Sequence, residues 1–220
     1  ALSLLKTHRE FRQDVKISTK VTFIYAGSIG LESVVAKIHA TKFINDLNSI
    51  KVSPLSLEEA IKFSQILTHD KIEIEKEQII YMLEQIEWLI PFYIQLIIQE
   101  VKKCSRSVSA ITNETIDQAI HNALDHRNHF ENWQSKLKEA FEKDEYLFAK
   151  EILNNVSKNS TITSLMIMNI ATKHALNEDN KREIIKTLQY DGYINNNDDN
   201  SVYRFNSPIL RMWWLKNVAN

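Results

Sequence analysis

Gly192-Tyr193-Ile194-Asn195-Asn196-Asn197-Asp198-Asp199-Asn200-Ser201-Val202-Tyr203-Arg204-Phe205 sets two short apolar runs on either side of a polar stretch. Tyr193-Ile194 and Val202–Phe205 have the aromatic and β-branched character of strands, and the Asn/Asp-rich segment between them reads as the long tip of a hairpin. Gly192 ends the regular structure before it. Working upstream, apolar residues at three- and four-residue intervals predict helices over 131–142, 144–157, 164–175 and 179–190, with a break at Asn159-Ser160-Thr161. Downstream, Pro208-Ile209-Leu210-Arg211-Met212-Trp213-Trp214 predicts a last helix that packs back on the hairpin.

Helices followed by a hairpin make a winged-helix arrangement, so 130–220 is predicted to be a winged-helix domain. Its third helix, about Glu178 to Tyr190, is the element that enters a major groove when such a domain binds DNA. Lys181, Arg182, Lys186 and Arg204 form a candidate cationic patch for nucleic acid or another partner. The charge balance weakens the DNA reading. From residue 130 onward 12 Lys and Arg face 12 Asp and Glu, and Glu178 and Asp179 favour the helix dipole while repelling phosphate. Trp213 and Trp214 are candidate partner anchors, because exposed tryptophans dominate interface energetics. Adjacent residues point to different sides of a helix, which predicts one tryptophan in the core and one partly exposed.

Before residue 130 the pattern is again helical. Leu57 to Leu67, Glu75 to Glu87, Pro91 to Lys103 and Asn113 to Asp125 each carry an apolar stripe. Ser56 with Glu59 makes a capping box, and Pro91 stands where a first helical turn tolerates proline. Residues 56–129 are therefore predicted to be a compact helical subdomain.

The first 55 residues change period. Leu4, Leu5, Phe11 and Val15 lie among Lys6, Arg9, Glu10, Arg12 and Asp14, the spacing of a helix with a polar outer face. Val21-Thr22-Phe23-Ile24-Tyr25-Ala26 then reads as a strand covered on both faces, closed by the turn Gly27-Ser28-Ile29-Gly30. Ser49-Ile50-Lys51-Val52-Ser53 before Pro54 reads as a second, brief strand. A buried strand needs neighbours for its backbone groups, so 1–55 is predicted to be a fragment of an α/β core.

These stretches together resemble the STAND-like AAA+ ATPases, the archaeal-type P-loop ATP-binding proteins, over nearly the whole chain. The resemblance rests on Phe23-Ile24-Tyr25-Ala26-Gly27-Ser28-Ile29-Gly30-Leu31, on Val52-Ser53-Pro54-Leu55-Ser56-Leu57-Glu58-Glu59-Ala60, on Trp88-Leu89-Ile90-Pro91-Phe92-Tyr93-Ile94-Gln95-Leu96 and on Tyr203 to Trp214. It implies that Ser28 is a sensor-1-like catalytic residue, that 56–129 is the helical lid with Trp88 and Pro91 near nucleotide, and that ATP and magnesium are cofactors of an intact parent. The implied fold is mostly α: a partial α/β P-loop core fragment, an AAA+ lid and a winged helix. Leu89 or Ile90 stands where the family usually has the glycine of a Gly-x-Pro lid signature. A larger departure lies at the front. Neither a Gly-x4-Gly-Lys-Ser/Thr loop nor an apolar strand ending in Asp-Asp/Glu occurs in this sequence. Those parts hold phosphate and magnesium, so the chain by itself is expected to be inactive. The resemblance implies that it begins just after the magnesium-binding strand of its parent.

Composition excludes several other classes. The net charge of -1, 44% apolar and 25% charged content give no global excess that draws nucleic acid or membrane. No apolar run reaches the roughly 20 residues that span a bilayer, and Ala1-Leu2-Ser3 opens no signal pattern, which predicts a cytoplasmic protein with no membrane partner. The lone Cys104 near a helix end has neither a disulfide partner nor a catalytic signature. His121, His126 and His129 lie close in sequence, yet no carboxylate or cysteine completes a ligand set, and no metal site is predicted. The partner expected for the winged helix is a protein, with DNA as the alternative and a pure interaction adaptor as a further one.

Overall fold

A computed structural model describes residues 2–25, 35–36, 38–50, 52–69, 71–107, 110–125 and 127–219. Among them the chain is mostly helical, with one small three-stranded antiparallel sheet near its end. The first helical group comprises α3 (Leu57–Thr68), α4 (Lys76–Ile86), α5 (Pro91–Cys104) and α6 (Asn113–Ala123), close to the bounds that periodicity predicts. The start of α3 is the expected capping box: the Glu59 N–H donates to Ser56 Oγ at 3.3 Å and the Ser56 N–H donates to Glu59 Oε2 at 2.8 Å. Thr112 and Thr115 cap α6 in the same reciprocal way, and Pro91 occupies the first turn of α5. The apolar stripes bury Ile79, Met82, Leu83 and Ile86 from α4, and Tyr93, Ile94, Ile97 and Val101 from α5. α5 packs along α6 and against α3.

A connecting helix, α7 (Arg127–Ala140), starts earlier than the sequence pattern indicates and leads to α8 (Lys143–Asn159). Ser160, at φ +67°, ends α8. There follow β1 (Thr161–Thr163), α9 (Ser164–Lys173), α10 (Glu178–Tyr190), β2 (Ile194–Asp199), β3 (Val202–Phe205) and α11 (Pro208–Asn217). The strand order is β1-β3-β2, with Thr161 opposite Arg204 and Ile194 opposite Phe205. β1 falls where the sequence indicates only a break, because its β-branched residues find a partner strand 40 residues away rather than nearby.

The long hairpin tip is also corrected. β2 runs through the Asn/Asp stretch and the turn is only Asn200–Ser201. A register shift between Asn195 and Asp199 absorbs the extra residues, and Asp199 Oδ1 accepts from both the N–H and the hydroxyl of Ser201 at 2.7 Å. Buried side chains from the α3–α6 group, from α7 and from the α8–α11 group merge into one continuous core.

The amino-terminal segment differs most from expectation. α1 (Leu2–Gln13) forms, as its spacing predicts, and is followed by the short α2 (Val15–Ser18), but neither helix buries a residue. Residues 21–25 form no strand, with Val21 47% and Ile24 87% exposed; Ala26 lies outside the described residues. The second expected strand is absent at 49–50 and 52–53, where Ile50 is 85% and Val52 92% exposed. A β-branched run becomes a strand only when another strand supplies its hydrogen bonds, and the one sheet among the described residues lies beyond residue 160. No described helix is long and apolar enough to cross a membrane.

Candidate functional site at the junction of the helical groups

The corner between α4 and α5 meets the hairpin, and most of the aromatic residues of the core converge there. α4 ends at Glu87, which holds φ +54° and ψ -53°, and the Trp88 N–H bonds back to the Ile86 carbonyl at 2.6 Å. That is a three-residue turn of the rare positive-φ form. The Ile90 N–H closes a second tight turn on the Trp88 carbonyl at 2.8 Å, and the Leu89 carbonyl accepts from the Leu55 N–H at 2.9 Å.

Trp88 lies 6.0 Å, ring to ring, from both Tyr93 and Trp133. Trp133 meets Tyr193 edge-on at 5.0 Å, Tyr193 approaches Trp214 at 6.3 Å, and Trp214 touches Trp213 at 6.3 Å. Trp213 stacks on Phe130 at 5.5 Å, and Phe130 on Tyr93 at 6.2 Å, which closes the circuit. Rings from α5, α7, α11 and the hairpin base therefore form a single aromatic collar, each contact adding to the burial that drives it. Gly192, at φ +83°, lies beneath Trp88: a Cβ there would stand 2.5 Å from Trp88 Cη2.

Polar atoms within the collar are unevenly satisfied. Tyr193 Oη donates to the Trp133 carbonyl at 2.6 Å and Trp214 Nε1 to Asn154 Oδ1 at 2.9 Å. Among the described residues Trp213 Nε1 is buried without a hydrogen-bond partner, and Tyr93 Oη is buried with none of good geometry, Ser207 being the polar neighbour that acts on it. Burial pushes the Tyr93 phenol well above its ordinary range, an effect that nearby Ser207 only partly offsets. Burial, with the Asp191 carboxylate second, does the same to Tyr193. Both phenols therefore stay protonated near neutrality.

Ser28 lies outside the described residues, as do Gly27 and Gly30. Trp88 and Pro91 do belong to one corner, Trp88 packed in the collar and Pro91 exposed on the first turn of α5. Trp213 and Trp214 are 2% and 0% exposed, so the expectation of one exposed anchor is corrected. α11 is enclosed by α8, α4 and β3, which covers both sides of the helix.

The cationic patch is largely neutralised. Lys181 pairs with Glu178 at 2.5 Å and Lys186 with Glu183 at 3.3 Å. Arg204 holds Glu87 at 2.7 Å and Asp198 at 2.8 Å, and the Glu87 carboxylate is the main reason its guanidinium lies above the usual range. Of the four, Arg182 alone has no ion-pair partner among the described residues. Cys104 ends α5 and accepts weakly from Asn122 Nδ2 at 3.5 Å. Of the three histidines considered for metal, only the His121 side chain lies among the described residues.

One cluster escapes sequence reasoning. Arg12, read as part of a polar outer face, has a side chain only 10% exposed. Its Nε and Nη2 grip both Asp46 oxygens at 2.9 Å, its Nη1 donates to Tyr25 Oη at 2.9 Å and its Nη2 also reaches the Phe43 carbonyl. His8 Nδ1 lies 3.1 Å from the same Tyr25 oxygen. The hydrogen bonds from Arg12 hold the Asp46 carboxyl below its usual range, despite a small opposing effect of burial. Separations of 13 and 34 residues left no local signal for this cluster.

An open depression of about 560 Å³ lies at the α3–α4 turn beside Thr68, His69, Ile72 and Glu73, and none of the expected site residues lines it. No protein-family model, curated protein or solved structure matches the chain.

Proposed function

We propose that the chain is the relay portion of a nucleotide-dependent switch ATPase of the STAND-like AAA+ type. In this reading 1–55 is the carboxyl-terminal fragment of the α/β core, 56–129 is the lid and 130–220 is a winged helix that passes nucleotide state to a cytoplasmic protein partner. ATP and magnesium are held by a phosphate loop and an acidic strand outside this sequence, and the chain alone does not hydrolyse ATP. The supporting observation is the order α8–β1–α9–α10–β2–β3, with sheet order β1-β3-β2, joined through one core to a four-helix group. Its helices and hairpin follow the order that the sequence pattern predicts, while β1 is an element the sequence reading lacked.

The second reading is a non-enzymatic DNA-binding regulator. The ion pairs of Lys181, Lys186 and Arg204 weigh against it, since phosphate binding depends on cations free to release counterions. A protein partner agrees better with a neutral α10.

Extending the chain into the coding sequence upstream of Ala1 tests the proposal. The expected result is a Gly-x4-Gly-Lys-Ser/Thr loop and magnesium-dependent binding of a fluorescent ATP analogue that is lost when the loop lysine becomes alanine. Upstream sequence without such a loop would overturn it. Duplex DNA binding at low salt, lost in Lys181→Ala/Arg182→Ala, would favour the regulator instead.

A further inference from the structure

We propose that Glu87 and Arg204 form a latch, in which the hairpin holds the α4–α5 corner in a strained turn that relaxes when the ion pair opens. Glu87 occupies the left-handed region at φ +54°, where side chains other than glycine are disfavoured, and the turn it centres is closed by the 2.6 Å bond from Trp88 to Ile86. Such a conformation persists only where its surroundings over-determine it. Here the surroundings are identifiable. Arg204, on the central strand β3, donates through Nη1 to Glu87 Oε2 at 2.7 Å, while its Nε is held by Asp198 of β2 at 2.8 Å. The guanidinium is thereby aimed from the hairpin at the corner. The next residue, Trp88, rests on Gly192 at the hairpin base, in a space that admits no Cβ.

The corner is tied on its other side by the Leu55 N–H to the Leu89 carbonyl, at the entrance to α3. Displacement of either the α3 entrance or the hairpin therefore loads the same four residues, Glu87 to Ile90. Arg204 is 37% and Glu87 45% exposed, so the pair can be opened at small cost while the collar beneath it stays packed. A latch of this kind opens locally at the corner while the packed groups on either side remain one body, which a deeply buried pair would not allow as readily. It depends only on contacts within this chain and stands whether or not nucleotide is the signal.

Amide exchange of the purified chain tests the latch. In Arg204→Met, exchange at Trp88 and across β2–β3 is expected to accelerate about two- to fivefold, the range of a solvent-exposed ion pair, with the far-UV signal unchanged. Glu87→Gly removes both the strain of the turn and the carboxylate that Arg204 holds, so adding Arg204→Met leaves exchange at Trp88 unaltered. Glu87→Gln, which keeps the side-chain length but not the charge, should resemble Arg204→Met. Unchanged exchange at Trp88 in Arg204→Met, or an equal acceleration in the Glu87→Gly background, would overturn the latch. If Arg204→Met does not fold, the same comparison between Glu87→Gln and the unmodified chain decides the matter, with unchanged exchange again counting against it.

Discussion

Gly192→Ala perturbs the junction where it is tightest, and two separable costs set its size. At φ +83° an alanine pays about 1–2 kcal/mol for left-handed backbone. The new Cβ would also stand 2.5 Å from Trp88 Cη2 and 2.9 Å from Cζ2, well inside van der Waals contact. The indole cannot simply swing aside, because Tyr93 and Trp133 flank it at 6.0 Å, so overpacking adds about 1–3 kcal/mol. Reduced freedom of the unfolded chain returns about 0.4–1 kcal/mol. The net expectation is a loss of roughly 1–4.5 kcal/mol, read from urea denaturation followed by tryptophan fluorescence. In a Trp88→Leu background the packing share should vanish and leave the backbone cost less the unfolded-chain return, about 0–1.6 kcal/mol. A Gly192→Ala protein within about 0.5 kcal/mol of the parent, or an equal loss in both backgrounds, would refute the claim that Trp88 on Gly192 locks hairpin to corner.

Three other outcomes follow from the contacts described. Trp214→Phe strands Asn154, whereas Trp213→Phe removes an N–H that has no partner, so thermal melts should show the larger loss for Trp214→Phe although both side chains are equally enclosed. Ser56→Ala removes the hydroxyl that accepts from the Glu59 N–H and donates to Glu59 Oε2, while the backbone arm from residue 56 remains, and should cost about 0.5–2 kcal/mol by denaturant titration. The third concerns acid. Because Arg12 lowers the folded-state pKa of Asp46, the pair contributes stability above the unfolded value of about 3.9 and loses it as pH falls through the lower folded value. Exchange protection in residues 2–25 and 38–46 should therefore hold from pH 5 to 8 in relation to this pair (roughly the plateau of an ionised carboxylate), fall below about pH 4, and lose that acid step in Asp46→Asn.

The helices were legible because each carries its own evidence: Ser56 and Glu59 open α3, Pro91 opens α5, and three- to four-residue spacing marks the buried side of α4 through α10. The hairpin was legible in position but not in length, since the register shift and the Asp199–Ser201 contacts that draw asparagines into β2 are not properties of composition. At the front, Val21 to Tyr25, Ile50 and Val52 are strand-like residues without a strand, because pairing is decided elsewhere in the molecule. The junction could not be read at all. Glu87 and Arg204 are separated by 117 residues, and the enclosure of both Trp213 and Trp214 depends on α11 being covered from two sides.

The central claim is that residues from α3 to α11 act as one relay body, and a spin-label distance from Gln118 on α6 to Lys186 on α10, both exposed, tests it most directly. The account predicts a single narrow distribution that ATP and magnesium leave unchanged in the nucleotide-binding parent, while the distance from Lys6 on α1 to Lys186 shifts. A broad or two-peaked Gln118–Lys186 distribution, or one that responds to ATP while Lys6–Lys186 stays constant, would contradict it.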